Sequence, residues 1–181
     1  MLDYKIINIV ASTQIGHKLD LTILRDELPN IEYSPKRYYA AIYRCRKPKV
    51  SVLVNSSGKL IFTGAKSIEF LRIVRDNFFG DLIQLGYSPQ PEEILIQNIV
   101  LMINFHSPVN IENVYLAHLD LQLEYEIEVF PGLIIKNENP KFTVLVFKTG
   151  KIILTGLKRV KDIPTCLKII YNILTKTANN S

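Results

Sequence analysis

The chain has little of what marks several common functional classes. Its 181 residues hold two cysteines, Cys45 and Cys166, far apart and in no CxxC pair. That spacing offers no zinc site, and two free, packed thiols in a reducing compartment are expected. No apolar run is long enough to cross a bilayer. The start, Met1-Leu2-Asp3-Tyr4-Lys5, lacks the charged, apolar and small-residue zones of a signal peptide. Low-complexity tracts are missing, and only Asn179-Asn180-Ser181 reads as a frayed tail. A soluble, intracellular protein without membrane contact is expected. His17, His106 and His118 fall in no triad-like or HExxH arrangement. Thr149-Gly150-Lys151 ends like a phosphate loop but lacks the first glycine and the following Ser or Thr. The expectation is no enzyme, no cofactor and no metal.

What is present is apolar and duplicated. Apolar residues make up 48%, enough for a real core, and the net charge of +5 fits a polyanionic partner without requiring one. Asn8-Ile9-Val10 recurs as Asn98-Ile99-Val100, 90 positions on. Glu32-Tyr33, Pro48-Lys49, Ser57-Gly58-Lys59 and Thr63-Gly64 are answered 92 positions on by Glu124-Tyr125, Pro140-Lys141, Thr149-Gly150-Lys151 and Thr155-Gly156. Five ordered landmarks at nearly constant offset indicate internal duplication, with copies at 1–91 and 92–181. One surface should therefore be presented twice.

In the first copy, 5–12 reads as a strand, and Asp20 caps a short helix carrying Leu21, Leu24 and Leu28. Strands are expected at 36–46, 50–55 and 59–63, the last two joined by a Ser56-Ser57-Gly58 turn. Ser67 caps a long helix with a buried stripe at Leu71, Val74, Phe78, Leu82 and Leu85, ended by Gly86. The second copy repeats this order. Strands are expected at 94–105, 129–136, 142–147 and 151–155, with Asn110 capping a short helix. A last helix carries Ile163, Leu167, Ile170 and Leu174, with Pro164 in its first turn. The class is α+β, with helices on one face of an antiparallel sheet. The strands are apolar at nearly every position, as in 142–147, so the other face should be an exposed apolar surface. Lys36, Arg37, Arg44, Arg46, Lys47, Lys49 and Lys59 surround one hairpin; Lys136, Lys141, Lys148, Lys151, Lys158 and Arg159 surround the other. Apolar contact for a groove floor and cations for the flanking phosphates suit a DNA minor-groove binder.

The segments 8–11, 18–21, 35–37, 57–59, 63–66, 97–100, 130–134, 140–141, 149–151 and 155–156 resemble the TATA-binding protein family, from about Ile6 to Leu174. The resemblance implies a pseudo-two-fold saddle, a curved antiparallel sheet astride DNA with helices on its convex back. It also implies minor-groove binding with wedge insertion, for which this family is itself the standard example. On that resemblance, Asn8 and Asn98 donate to the central groove acceptors, with Thr63 and Thr155 beside them. Val10, Val100, Leu53, Leu145, Ile61 and Ile153 are the apolar groove contacts. Arg44, Lys59, Lys136, Lys141 and Lys151, with Ser57 and Thr149, meet phosphates. Phe130 and Phe147, with Pro131, match the family's wedge; Tyr38, Tyr39 and Asn55 stand at the other wedge and depart from it. An asymmetric bend is expected. Glu126, Glu128 and Val129 match the turn that holds transcription factor B and, through it, RNA polymerase.

The implied function is a general initiation factor that binds and bends the TATA element. The alternative is a relative with reduced TATA specificity that serves as an assembly platform. Segments 28–33 and 124–128, and the short N-terminus, look closer to archaeal members. Location would then be cytoplasmic and chromosome-associated, or nuclear for a eukaryotic member. Homodimerisation of the DNA-free protein through the apolar face is left open.

Overall fold

The computed structural model describes residues 2–90 and 92–176, so the tail expected to fray lies outside the described residues. The first copy runs β1 (Asp3–Gln14), α1 (Leu21–Glu27), β2 (Ile31–Glu32), β3 (Ala40–Arg46), β4 (Lys49–Asn55), β5 (Lys59–Ala65) and α2 (Ile68–Gln84). The second runs β6 (Leu95–Asn104), α3 (Ile111–Ala117), β7 (Gln122–Glu124), β8 (Gly132–Glu138), β9 (Lys141–Phe147), β10 (Lys151–Leu157), a 3₁₀ turn (Val160–Asp162) and α4 (Ile163–Thr175). The chain clusters into two compact units. One is Asn8–Gln97; the other joins the residues up to Ile7 to the chain from Asn98 onward.

Each unit is an antiparallel sheet with helices. Strand order is β2-β3-β4-β5-β1 in the first and β7-β8-β9-β10-β6 in the second. The helix starts follow from capping. Asp20 accepts from the backbone N–H groups of Thr22 and Ile23, Ser67 from that of Phe70, and Asn110 from that of Asn113. The end of α2 is a Schellman turn. Gly86, at φ +84°, donates to Ile83, and the Tyr87 N–H reaches Leu82 O at 3.0 Å. Leu71, Val74, Phe78 and Leu82 are buried, whereas Leu85 is only half-buried at the helix end. In α4, Pro164 sits in the first turn, and Ile163, Leu167, Ile170 and Leu174 are all buried.

The strands alternate. Val50, Val52, Val54, Leu60 and Phe62 are buried in the first unit, where α2 packs on β4 and β5. Val144, Val146, Ile152 and Leu154 are buried in the second. Tyr43 joins that first core, its ring 4.8 Å from Phe78 and its hydroxyl donating to Asp81 at 3.0 Å. Burial, with Asp81 adding to it, pushes the phenol well above its usual range.

Two expected strands begin too early. Residues 36–39 are not part of β3, because Ser34 O accepts from the N–H groups of Arg37 and Tyr38 and closes a turn there. Residues 129–131 are likewise outside β8, because Glu126 O accepts from Val129 and Phe130. These prolines and aromatics read as extended chain, but a local turn takes up their backbone groups. The short strands β2 and β7 and the 3₁₀ turn were too brief for a periodic pattern to reveal.

Candidate nucleic-acid interface

Strand alternation that buries one face leaves the other open. In the first unit, register pairs Ile42 with Leu53, Leu53 with Ile61 and Ile61 with Ser12. In the second, it pairs Ile134 with Leu145, Leu145 with Ile153 and Ile153 with Met102. These are equivalent rows, and both are largely apolar. Leu53 is 36% exposed, and Ile42, Ile61, Ile134, Leu145 and Ile153 are half-buried. Val10 and Val100 are also half-buried, on strands whose next residues, Ala11 and Leu101, are fully buried. Side chains this apolar and this accessible mark a binding surface. A second row pairs Arg44 with Ser51 and Ser51 with Thr63, answered by Lys136 with Thr143 and Thr143 with Thr155.

The two asparagines have the same setting. Asn8 Oδ1 accepts from the Gly64 N–H at 2.7 Å, and Asn98 Oδ1 from the Gly156 N–H at 2.8 Å. Each carbonyl oxygen is held by the backbone, which makes the amide NH₂ the group left to recognise something else. Asn98 Nδ2 donates once, to Thr155 Oγ1 at 3.1 Å. The Asn8 amide nitrogen has no hydrogen-bond partner among the described residues. The glycines make this possible. Gly64 and Gly156 lie at φ +91° and +97°, and the pairing register slips beside each. A bulge in left-handed backbone turns the N–H toward the asparagine. Sequence reasoning used both glycines as repeat landmarks and missed this role. A glycine inside a strand pattern is the signal that could have revealed it.

Phe130 and Phe147 form an edge-to-face pair with centroids 5.7 Å apart. Gly132, paired with Phe147 in register, makes room for them: a Cβ there would lie 2.9 Å from Phe130 and 3.3 Å from Phe147. This glycine too was missed. Pro131 is exposed beside the pair. At the corresponding place in the first unit, Tyr38 is 60% and Tyr39 96% exposed. Asn55 there donates to Lys59 O at 3.1 Å, turned into its own hairpin.

Of the expected phosphate-binding residues, Lys59, Lys141 and Lys151 are exposed and have no ion-pair partner among the described residues. Arg44 is bidentate on Glu32, at 2.8 and 3.1 Å, and Lys136 pairs with Glu124. The hydrogen bond from Arg44 holds the Glu32 carboxyl below its usual range. Both pairs are solvent-exposed, so they are weak. Ser57 and Thr149 are exposed in the hairpin turns. Gly58 and Gly150 follow them, and a Cβ at either would lie 2.2 Å from a neighbouring backbone oxygen. In the turn 126–129, Glu126, Glu128 and Val129 are all exposed. Both cysteines are free; burial raises the Cys166 thiol to about 11.

Fold and face together define an α+β protein, built from a repeated unit, that offers an apolar and amide-bearing sheet surface. The family model described as "Transcription factor TFIID (or TATA-binding protein, TBP)" matches residues 3–85 and 93–177. The TATA-box-binding protein of Acanthamoeba castellanii is 39% identical, over 93% of this chain and 65% of that protein. That of Saccharomyces cerevisiae is 36% identical, over 93% of this chain and 70% of that protein. The solved structure of Methanococcus jannaschii TBP superposes with a TM-score of 0.87 at 36% identity, covering 96% of this chain and 99% of that one. The chain belongs to the TATA-binding protein family and has its fold. It spans about two-thirds of the length of the first two of these relatives. Among the described residues, no helix is long and apolar enough to cross a membrane.

Proposed function

We propose that the protein is a general transcription initiation factor that binds a TATA element in the minor groove and bends it. Both of its copies, 1–91 and 92–181, take part in DNA binding. The observation that carries this reading is the matched setting of Asn8 and Asn98. Each amide oxygen is taken by a bulge N–H, next to an open apolar row. The minor groove of A·T pairs offers only acceptors, whereas G·C adds a donor at its centre. An amide whose oxygen is already taken, and whose NH₂ keeps at least one donor free, therefore favours A·T. The apolar rows supply contact with the groove floor, and Lys59, Lys141, Lys151, Arg44 and Lys136 supply phosphate contacts. The acidic turn Glu126–Val129 is the docking point for transcription factor B, and through it for RNA polymerase. In an archaeal cell this takes place on the cytoplasmic chromosome.

Fluorescence anisotropy with a TATA duplex and a scrambled duplex, over a salt series, tests the reading. Preference for the TATA duplex, lost in Asn98→Ala, is expected. No binding to either duplex at low salt would overturn it. A second reading, an assembly platform with reduced TATA preference, is favoured by one observation, Asn55 in place of an apolar wedge. It requires equal, weak affinity for both duplexes.

A further inference from the structure

We propose that the two units treat DNA differently at their turn-bearing edges: the second unstacks a base step, whereas the first grips the sugar-phosphate backbone without inserting. This rests on the DNA-binding reading above and deepens it.

The contrast begins with matched backbone. Tyr38 N–H donates to Ser34 O at 2.9 Å, and Phe130 N–H to Glu126 O at 2.8 Å, so the two turns are built alike. Ala40 pairs with Asn55 as Gly132 pairs with Phe147. The side chains on this shared frame are of different kinds. In the second unit, two phenylalanine rings meet over a glycine that leaves space for both. That pair is apolar, mutually braced and accessible at the border of an apolar row. Apolar surface of this sort offsets the cost of opening a base step.

The first unit has no such braced pair among the described residues. Asn55 is polar and hydrogen-bonded into its own hairpin, so inserting it would break that bond and bury an amide among bases. Tyr38 and Tyr39 have no ring contact among the described residues and stand in water. The turn before them carries exposed Lys36 and Arg37, with no ion-pair partner among the described residues. The matching turn carries exposed Glu126 and Glu128. Two cations and two phenolic hydroxyls are donors for phosphate oxygens. The acidic turn, by contrast, repels a backbone.

The test uses an unsymmetrical TATA duplex with 2-aminopurine at the base step flanking one end or the other, one probe per duplex. Anisotropy from a distant label confirms saturation. 2-Aminopurine brightens when its step opens, so the enhancement summed over the two duplexes counts opened steps, whichever way round the protein binds. The double variant Tyr38→Ala/Asn55→Ala should leave that sum unchanged, and Phe147→Asn should abolish it. Lys36→Ala/Arg37→Ala should also leave it unchanged while lowering the salt slope of log affinity by roughly 1.8, at about 0.9 per lost contact. A sum halved by the Tyr38/Asn55 variant, or surviving in Phe147→Asn, would overturn the proposal. An unchanged salt slope would overturn the backbone grip. Absence of any anisotropy change in the wild-type protein would instead reject the DNA-binding reading itself.

Discussion

The two copies differ least in backbone shape and along the open face, and most at the edges that carry the turns. Both keep a glycine at φ above +90° that aims its N–H at an asparagine, and both keep a hairpin glycine pressed against a neighbouring loop. Both present a row of isoleucine and leucine on the open face. At the edges the likeness ends. Phe130, Phe147, Glu126 and Glu128 in one copy correspond in sequence to Tyr38, Asn55, Ser34 and Lys36 in the other. The second copy also links Lys148 to Glu112 at 3.0 Å, with the Tyr125 hydroxyl donating to the same carboxylate. At the matching places the first has Ser56, Thr22 and Tyr33. A duplicated fold thus retains what the sheet geometry demands and diversifies where that geometry is indifferent.

The largest difference between the copies is expected at the phenylalanine pair. Phe147→Asn should cost about 2–3 kcal/mol of TATA binding, roughly 30- to 150-fold, because opening a step is no longer offset. Asn55→Ala should change affinity less than about threefold; anisotropy titrations of the two variants give the contrast directly. Next come the bulges, where the copies should behave alike. Gly64→Ala and Gly156→Ala each place a side chain in left-handed backbone and should cost about 1–3 kcal/mol of stability, read by denaturant unfolding. The asparagines sharpen the likeness further. Asn8→Ala and Asn98→Ala should each remove about 1–3 kcal/mol of discrimination between A·T and G·C at the centre of the site.

The smallest effect separates the copies chemically. With its pKa raised to about 11 by burial, Cys166 in α4 stays a thiol at pH 8, and it is also shielded. Cys45 in β3 is half-exposed. A thiol reagent should therefore label the folded chain once, at Cys45, and twice after denaturation.

Much of the fold was legible because it is written in patterns that local physics fixes. Asp20, Ser67 and Asn110 announce helix starts through the hydrogen bonds they make, and the stripes of α2 and α4 follow the helical period. The doubled repeat announced that one surface would occur twice. Apolar residues on both faces of β9 and β10 announced an open apolar face, and there Leu145 and Ile153 are half-buried. What was not legible depends on partners distant in sequence. Gly132 matters because two aromatic rings from either side converge on it. Glu32 and Glu124 matter because they hold Arg44 and Lys136, a pairing set by strand register rather than by any motif. The turns before β3 and β8 were misread as strand because a single carbonyl, on Ser34 or Glu126, captures two N–H groups.

Minor-groove reading by the open face is tested most directly with a duplex in which each A·T pair of the TATA element is replaced by I·C. Such a duplex keeps the minor-groove acceptors of A·T and, like it, lacks the central amino donor, while its major groove takes the pattern of G·C. Affinity within a few-fold of that for the TATA duplex is the expected result. A fall to the level of the scrambled duplex would rule out minor-groove reading and place recognition in the major groove.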